Sequence, residues 1–501
     1  MKKFLALLAF SSLLFVSCLS DDAQPPVFEV PTPPAINFTS GEADFSKFVS
    51  VGNSLTAGFS DNALFMEGQT NSFPNMMASS FAQVGGGAFT IPFMADNLGG
   101  ATLGGQPILG NRLFLSFASG SPLPTPVSGT GSTEISSVLS GPFNNMGVPG
   151  AKSFHLLAPG YGNVAGVPIG AANPYYARMA SSPNATVLGD AAGQAPTFFS
   201  LWIGNNDILS FATSGGLGVD QQGNFDPSTY GGTDITDPNV FAQTYNGILQ
   251  TLTAGGAKGV IANIPDVTSI PYFTTVPHNP IPLDAATAGA VNTAYAAYNG
   301  GLAQLQQLGV ISAEEVARRT ISFSEGATNA AVIIDEDLTD LTSFNPALIN
   351  MRQATADDLM VLVGLSFIGT LADPNNPASV NGVGVPLGDQ WVLTPEEQAS
   401  VSQALSAYNE TIAAAAATFD LAFVDANAFL KELKAGGFPL NDGTTVTATF
   451  GTGGGFSLDG VHPSPRGYAL LANKFLEEIE NKYGATLPEV EPEAFTGVYI
   501  E

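Results

Sequence analysis

Residues 239–267, "NVFAQTYNGILQTLTAGGAKGVIANIPDV", decide the fold class. They predict an amphipathic helix, a turn at Gly255-Gly256 and a buried strand, "GVIANI". Residues 394–427, "TPEEQASVSQALSAYNETIAAAAATFDLAFVDAN", repeat the plan: Thr394-Pro395-Glu396-Glu397 caps a long alanine-rich helix, and "LAFVDA" is the strand after it. Two further strands read outward from these. "FSKFVSVG" (45–52) and "PTFFSLW" (196–202) are apolar runs, each followed by a polar turn, "NS" and "GNND". Strands alternating with helices imply a mainly parallel sheet with helices on both faces. Sites in such sheets gather beyond the carboxyl ends of the strands, where both polar turns fall.

Composition sets the class around this core. The chain has 501 residues, 45% of them hydrophobic, which suits a folded domain with a sizeable interior. A net charge of −28 excludes nucleic-acid binding through a basic surface, because neutralising phosphates takes Lys and Arg. Residues 1–17 carry Lys2, Lys3 and an apolar run too short to span a bilayer, the pattern of an export signal. Cys18 is the only cysteine, so an intrachain disulfide is excluded. "FVSC" at 15–18 resembles the lipobox of bacterial lipoproteins, with Phe15 where Leu is usual. That resemblance implies lipidation at Cys18 and a place in the cell envelope, on the outer membrane. The acidic pair Asp21-Asp22 resembles a surface-export signal. Residues 18–44 read as a proline-rich tether, 45–485 as one domain and 486–501 as a tail. Two stretches, about 60–142 and 310–390, read as insertions. Within the second, "TADDLMVLVGLSFIGTLA" (355–372) predicts a capped apolar helix.

Only three histidines are present, His155, His278 and His462. A serine nucleophile needs a base, usually His, held in turn by a carboxylate. Asp459 precedes His462 by three residues, so one turn can bring carboxylate to imidazole; the other two histidines have no acid so placed. Ser54 follows a strand and a Gly-Asn turn. Gly147 and Gly150 in "NNMGVPGAKS" would let a backbone N–H approach a ligand, and Asn206 ends another strand with an amide that can donate.

"GNSL" (52–55), "NMGVPG" (145–150), "GNND" (204–207) and "DGVH" (459–462) together resemble, in order and context, the four signature blocks of the SGNH/GDSL hydrolases. The resemblance implies a flavodoxin-like three-layer α/β/α sandwich with long insertions. It implies Ser54, His462 and Asp459 as catalytic triad. The oxyanion hole it implies comprises the N–H groups of Ser54 and Gly150 and the Asn206 amide. No metal or organic cofactor is required. Asn53 stands where the family has Asp; a hydrogen-bonding residue that stabilises the turn is expected there.

The substrate would be a lipid or another carboxylic ester, or an O-acetylated polysaccharide. A non-catalytic binding lipoprotein on a hydrolase scaffold is the reading of a different class, and it has no need of a triad. The first insertion is rich in Phe and Met, including Phe59, Phe65, Phe73, Met76, Met77, Phe81 and Met94. These could line an acyl pocket or lid, or pack a small core of their own.

Overall fold

A period of two organises the central sheet. In β1 (Phe48–Gly52), Val49 and Val51 face one apolar cluster while Phe48 faces another. β3 (Phe198–Trp202) divides likewise, Phe199 and Leu201 to the first cluster, Phe198 and Trp202 to the second. The middle of each strand carries a serine, and the hydroxyls of Ser50 and Ser200 meet at 2.6 Å across the pair. In this computed structural model, which describes residues 36–118 and 120–500, three more strands complete the sheet: β2 (Asn145–Gly147), β4 (Lys258–Ala262) and β5 (Ala422–Val424). Their order is β5-β4-β3-β1-β2, and every neighbouring pair is parallel. The fold is therefore mixed α/β around a five-stranded parallel sheet.

Helices close both faces. α4 (Pro238–Thr253) and α6 (Pro395–Thr418) pack Phe241, Tyr245, Val401 and Tyr408 into the cluster of Val49 and Val51. α2 (Phe73–Ala82) and α8 (Pro465–Tyr483) supply Phe73, Met77, Phe475 and Ile479 to the opposite one. The local signals explain these ends. Asp237 accepts from the N–H groups of Asn239 and Val240, with Pro238 at the first helical position. Ser464 caps α8, which stops at the left-handed Gly484.

The two insertions differ from their sequence reading. The Phe- and Met-rich segment contains α2, whose Phe73, Met76, Met77 and Phe81 are buried under the sheet. Phe81 also stacks on Phe45, with ring centroids 3.9 Å apart. Residues 355–372 form no continuous helix. Leu359–Met360 pair with Val392–Leu393, a single 3-10 turn follows at Leu362–Ser366, and Asp358 is drawn to the Arg352 guanidinium rather than capping a helix. Around them, α5 (Ala285–Gln307) packs Tyr295, Tyr298 and Leu302 against Phe323, Val332 and Met351, so the second insertion has its own small core. No helix among the described residues is long and apolar enough to cross a membrane.

Phe38–Glu501 forms one compact unit. Thr39 bridges Thr486, and the Leu115 N–H donates to the Tyr499 carbonyl, so both edges assigned from sequence to tether and tail are packed onto the domain. The export signal, Cys18 and the tether as far as residue 35 lie outside the described residues.

Candidate active site

Register brings the polar turns together. Gly52 pairs with Trp202 on one side and Gly147 on the other, so β1, β2 and β3 end level with one another. The chain leaves those ends as α1 (Ser54–Ala57), as the loop 148–153, and as α3 (Asn206–Thr213). Gly52 is required by space rather than torsion: a Cβ there would lie 2.2 Å from Thr56 Oγ1 and 2.4 Å from the Trp202 carbonyl.

Ser54 is 6% exposed, and its Oγ lies 2.8 Å from His462 Nε2. His462 Nδ1 lies 2.9 Å from Asp459 Oδ2. A carboxylate only accepts, so the imidazole proton belongs on Nδ1, and Nε2 is left to accept from the serine hydroxyl. Asp459 is held on every side. Oδ1 accepts from the Val461 and His462 N–H groups, each at 2.8 Å, and from Ser457 Oγ at 3.0 Å; Oδ2 also accepts from the Asn62 N–H at 2.9 Å. Burial alone would raise its pKa, but the pull of His462 and these donors outweigh it and hold the carboxyl at about 2.

Opposite the imidazole, Asn206 donates from Nδ2 to the Ala151 carbonyl at 2.9 Å, which fixes its amide beside the loop that carries Gly150. Gly150 has φ +79°, a conformation that favours glycine, and no described acceptor takes its N–H. That loop is pinned from below, since Asp207 accepts from the N–H and hydroxyl of Ser153 at 2.8 and 2.7 Å. Asn173 steadies it from the side through a 2.8 Å bond to the Pro149 carbonyl. The Ser54 N–H is the first of its helix and has no intrahelical carbonyl to bind. Asn53 accepts from the Leu55 N–H at 3.1 Å and donates to Asn205 Oδ1 at 3.0 Å, joining the two turns. The set can deprotonate a hydroxyl and offer donors to an oxyanion.

The sequence motifs had pointed to Ser54, Gly150, Asn206, Asp459 and His462, and the structure brings all five to one end of the sheet. Ser457, Asn62 and Asn173 escaped them. Ser457 stands two residues before Asp459, a local signal; Asn62 and Asn173 carry none. Phe59, 4.7 Å from the His462 ring, also meets the site. His155 lies elsewhere, stacked on Tyr161 at 4.5 Å, and burial lowers its pKa to about 4.

An apolar crevice of about 770 Å³, open mouth included, runs from Ser54 and His462. Leu209, Val267, Ile270, Phe429, Leu433, Phe456 and Leu470 line it. None of the lining residues comes from 60–142, so the Phe- and Met-rich insertion does not form this cavity.

A family model, GDSL-like Lipase/Acylhydrolase, matches residues 334–475. The matched segment contains Asp459 and His462 and leaves out Ser54, Gly150 and Asn206. Comparison with curated proteins and with solved structures gives no match. The family-model match makes the chain a carboxylic ester hydrolase of the serine esterase, lipase or acylhydrolase kind. More narrowly, it supports the SGNH/GDSL hydrolase family.

Proposed function

We propose that Ser54 is the nucleophile, His462 the general base and Asp459 its orienting carboxylate in an enzyme that cleaves esters of acyl chains at the cell envelope. The Ser54–His462–Asp459 contacts at 2.8 and 2.9 Å carry this reading. Ser54 Oγ bonds to the ester carbonyl carbon while its proton passes to His462 Nε2. The resulting oxyanion faces the N–H groups of Ser54 and Gly150 and the Asn206 amide. Collapse breaks the carbon–oxygen bond to the alcohol, which leaves with the proton from His462. Water, activated by the same imidazole, then releases the acid.

The strand order, 2-1-3-4-5 along the chain, supports a flavodoxin-like α/β/α sandwich, with the site where that order reverses. The crevice supports a lipid or medium-chain acyl group over an acetylated glycan, since its walls offer methyl and aromatic surface to a chain. The N-terminal motif supports attachment through Cys18.

Labelling with a fluorophosphonate probe, beside hydrolysis of p-nitrophenyl esters from acetyl to decanoyl, tests the proposal. Wild type should be labelled and prefer the longer chains; Ser54→Ala and His462→Ala should lose both signals. Undiminished labelling or turnover in Ser54→Ala would end it, and a preference for acetylated glycan would move the substrate to polysaccharide.

A further inference from the structure

Glu336 meets Asp389 and Glu397, which are close neighbours in the chain, at the edge of the second insertion and outside the site described above. Each offers a carboxylate oxygen, and the three oxygens lie within 4.8 Å of one another. That is the widest separation two oxygens can have when both bind one calcium ion at about 2.4 Å. Glu397 is 6% exposed. Its Oε2 accepts from the Thr394 N–H at 2.6 Å, while Oε1 is sealed from water with no described hydrogen-bond partner. Asp389 Oδ1 is sealed in the same way and meets no described donor, the Glu336 carboxyl being within hydrogen-bonding reach of the Asp389 side chain. Uncompensated buried carboxylate oxygens are costly, and a cation removes the cost. No described Lys, Arg or His pairs with any of the three: nearby Arg318 is taken by Asp335 and Glu396, at 3.0 and 3.1 Å.

We propose that these three carboxylates bind a calcium ion that fastens the second insertion to the catalytic sheet domain. The neighbouring backbone shows what it would fasten. A Cβ on Gly215 would lie 2.1 Å from the Asp389 carbonyl, and one on Gly216 would lie 1.7 Å from Glu397 Oε1. The turn that ends α3 is thus pressed onto two of the ligands, and α3 begins at Asn206.

Trp391 supplies a local reporter, because it closes the same 3-10 turn that Asp389 opens. Metal-stripped protein titrated with terbium chloride should show tryptophan-sensitised emission that calcium chloride displaces, and calcium should raise Tm. Trp391→Phe should lose most of the emission and keep the calcium-dependent Tm rise. Glu336→Gln alters an exposed side chain and should weaken calcium binding at least tenfold; Asp389→Asn should abolish it. The absence of any calcium effect on wild-type Tm at millimolar concentration would overturn the site. So would undiminished calcium binding in folded Glu336→Gln and Asp389→Asn, or carboxyl groups that instead share protons at neutral pH and bind no terbium.

Discussion

Asp61 sits behind the Asp459–His462 pair with only one of its oxygens in use. Its Oδ1 accepts from the Leu458 N–H at 3.0 Å, while Oδ2 is buried without a described partner. Burial, reinforced by the Asp459 charge, pushes its pKa up to about 7. The sign follows from linkage: between roughly pH 4 and 7 the folded protein binds a proton that the unfolded chain has released, so stability falls as pH rises through that window. Asp61→Asn keeps an acceptor for Leu458 and removes the titration. Its Tm should match wild type near pH 4 and exceed it at pH 8, the upper bound being on the order of 4 kcal/mol. Equal melting curves at pH 8 would show that the site does not raise the Asp61 pKa. Asp459 titrates in the other direction: its lowered pKa lends stability above about pH 4, which is lost as pH falls toward 2.

At the scale of elements, the crevice is a meeting of segments that no single motif announces. α7 (Ala426–Ala435) brings Phe429 and Leu433, α8 brings Leu470, and α3 brings Leu209 one turn beyond Asn206. Leu470 is only partly buried, so a larger side chain has room to enter the crevice without breaking the core. Leu470→Trp should therefore lower kcat/KM for decanoyl esters by about tenfold and leave acetyl esters nearly unchanged, each lost methylene contact counting for 1–3 kcal/mol, roughly. A uniform fall across chain lengths would place the acyl group elsewhere.

Local signals explain which parts of this were legible. Helix–turn–strand patterns at 239–267 and 394–427 revealed the parallel sheet, because each element carries its own period and caps. Ser54 and His462 were legible because the strand end and the Asp459–His462 spacing are local. Gly52 admits the Trp202 carbonyl, a contact across 150 residues of chain that no local pattern announces. The carboxylate cluster has the same character: Asp389 and Glu397 are near neighbours in the chain, but no local pattern ties either to Glu336.

For the whole molecule, the proposed place at a membrane sets a demand on its surface and its N-terminus. A net charge of −28 repels an anionic surface, and no described helix spans a bilayer. The attachment proposed above would rest on a covalent lipid at Cys18, where each buried methylene adds about 0.8 kcal/mol and more than one chain is needed for a stable anchor. The Ser54–His462 and His462–Asp459 contacts both lie within Phe38–Glu501. Anchor and chemistry should then separate cleanly. Cys18→Ser should move the protein from the membrane fraction to the soluble one, abolish incorporation of labelled palmitate, and leave kcat/KM on a soluble butyrate ester within about twofold of wild type, a difference of roughly 0.4 kcal/mol. A Cys18→Ser protein still recovered with membranes would show that attachment does not depend on a lipid at Cys18.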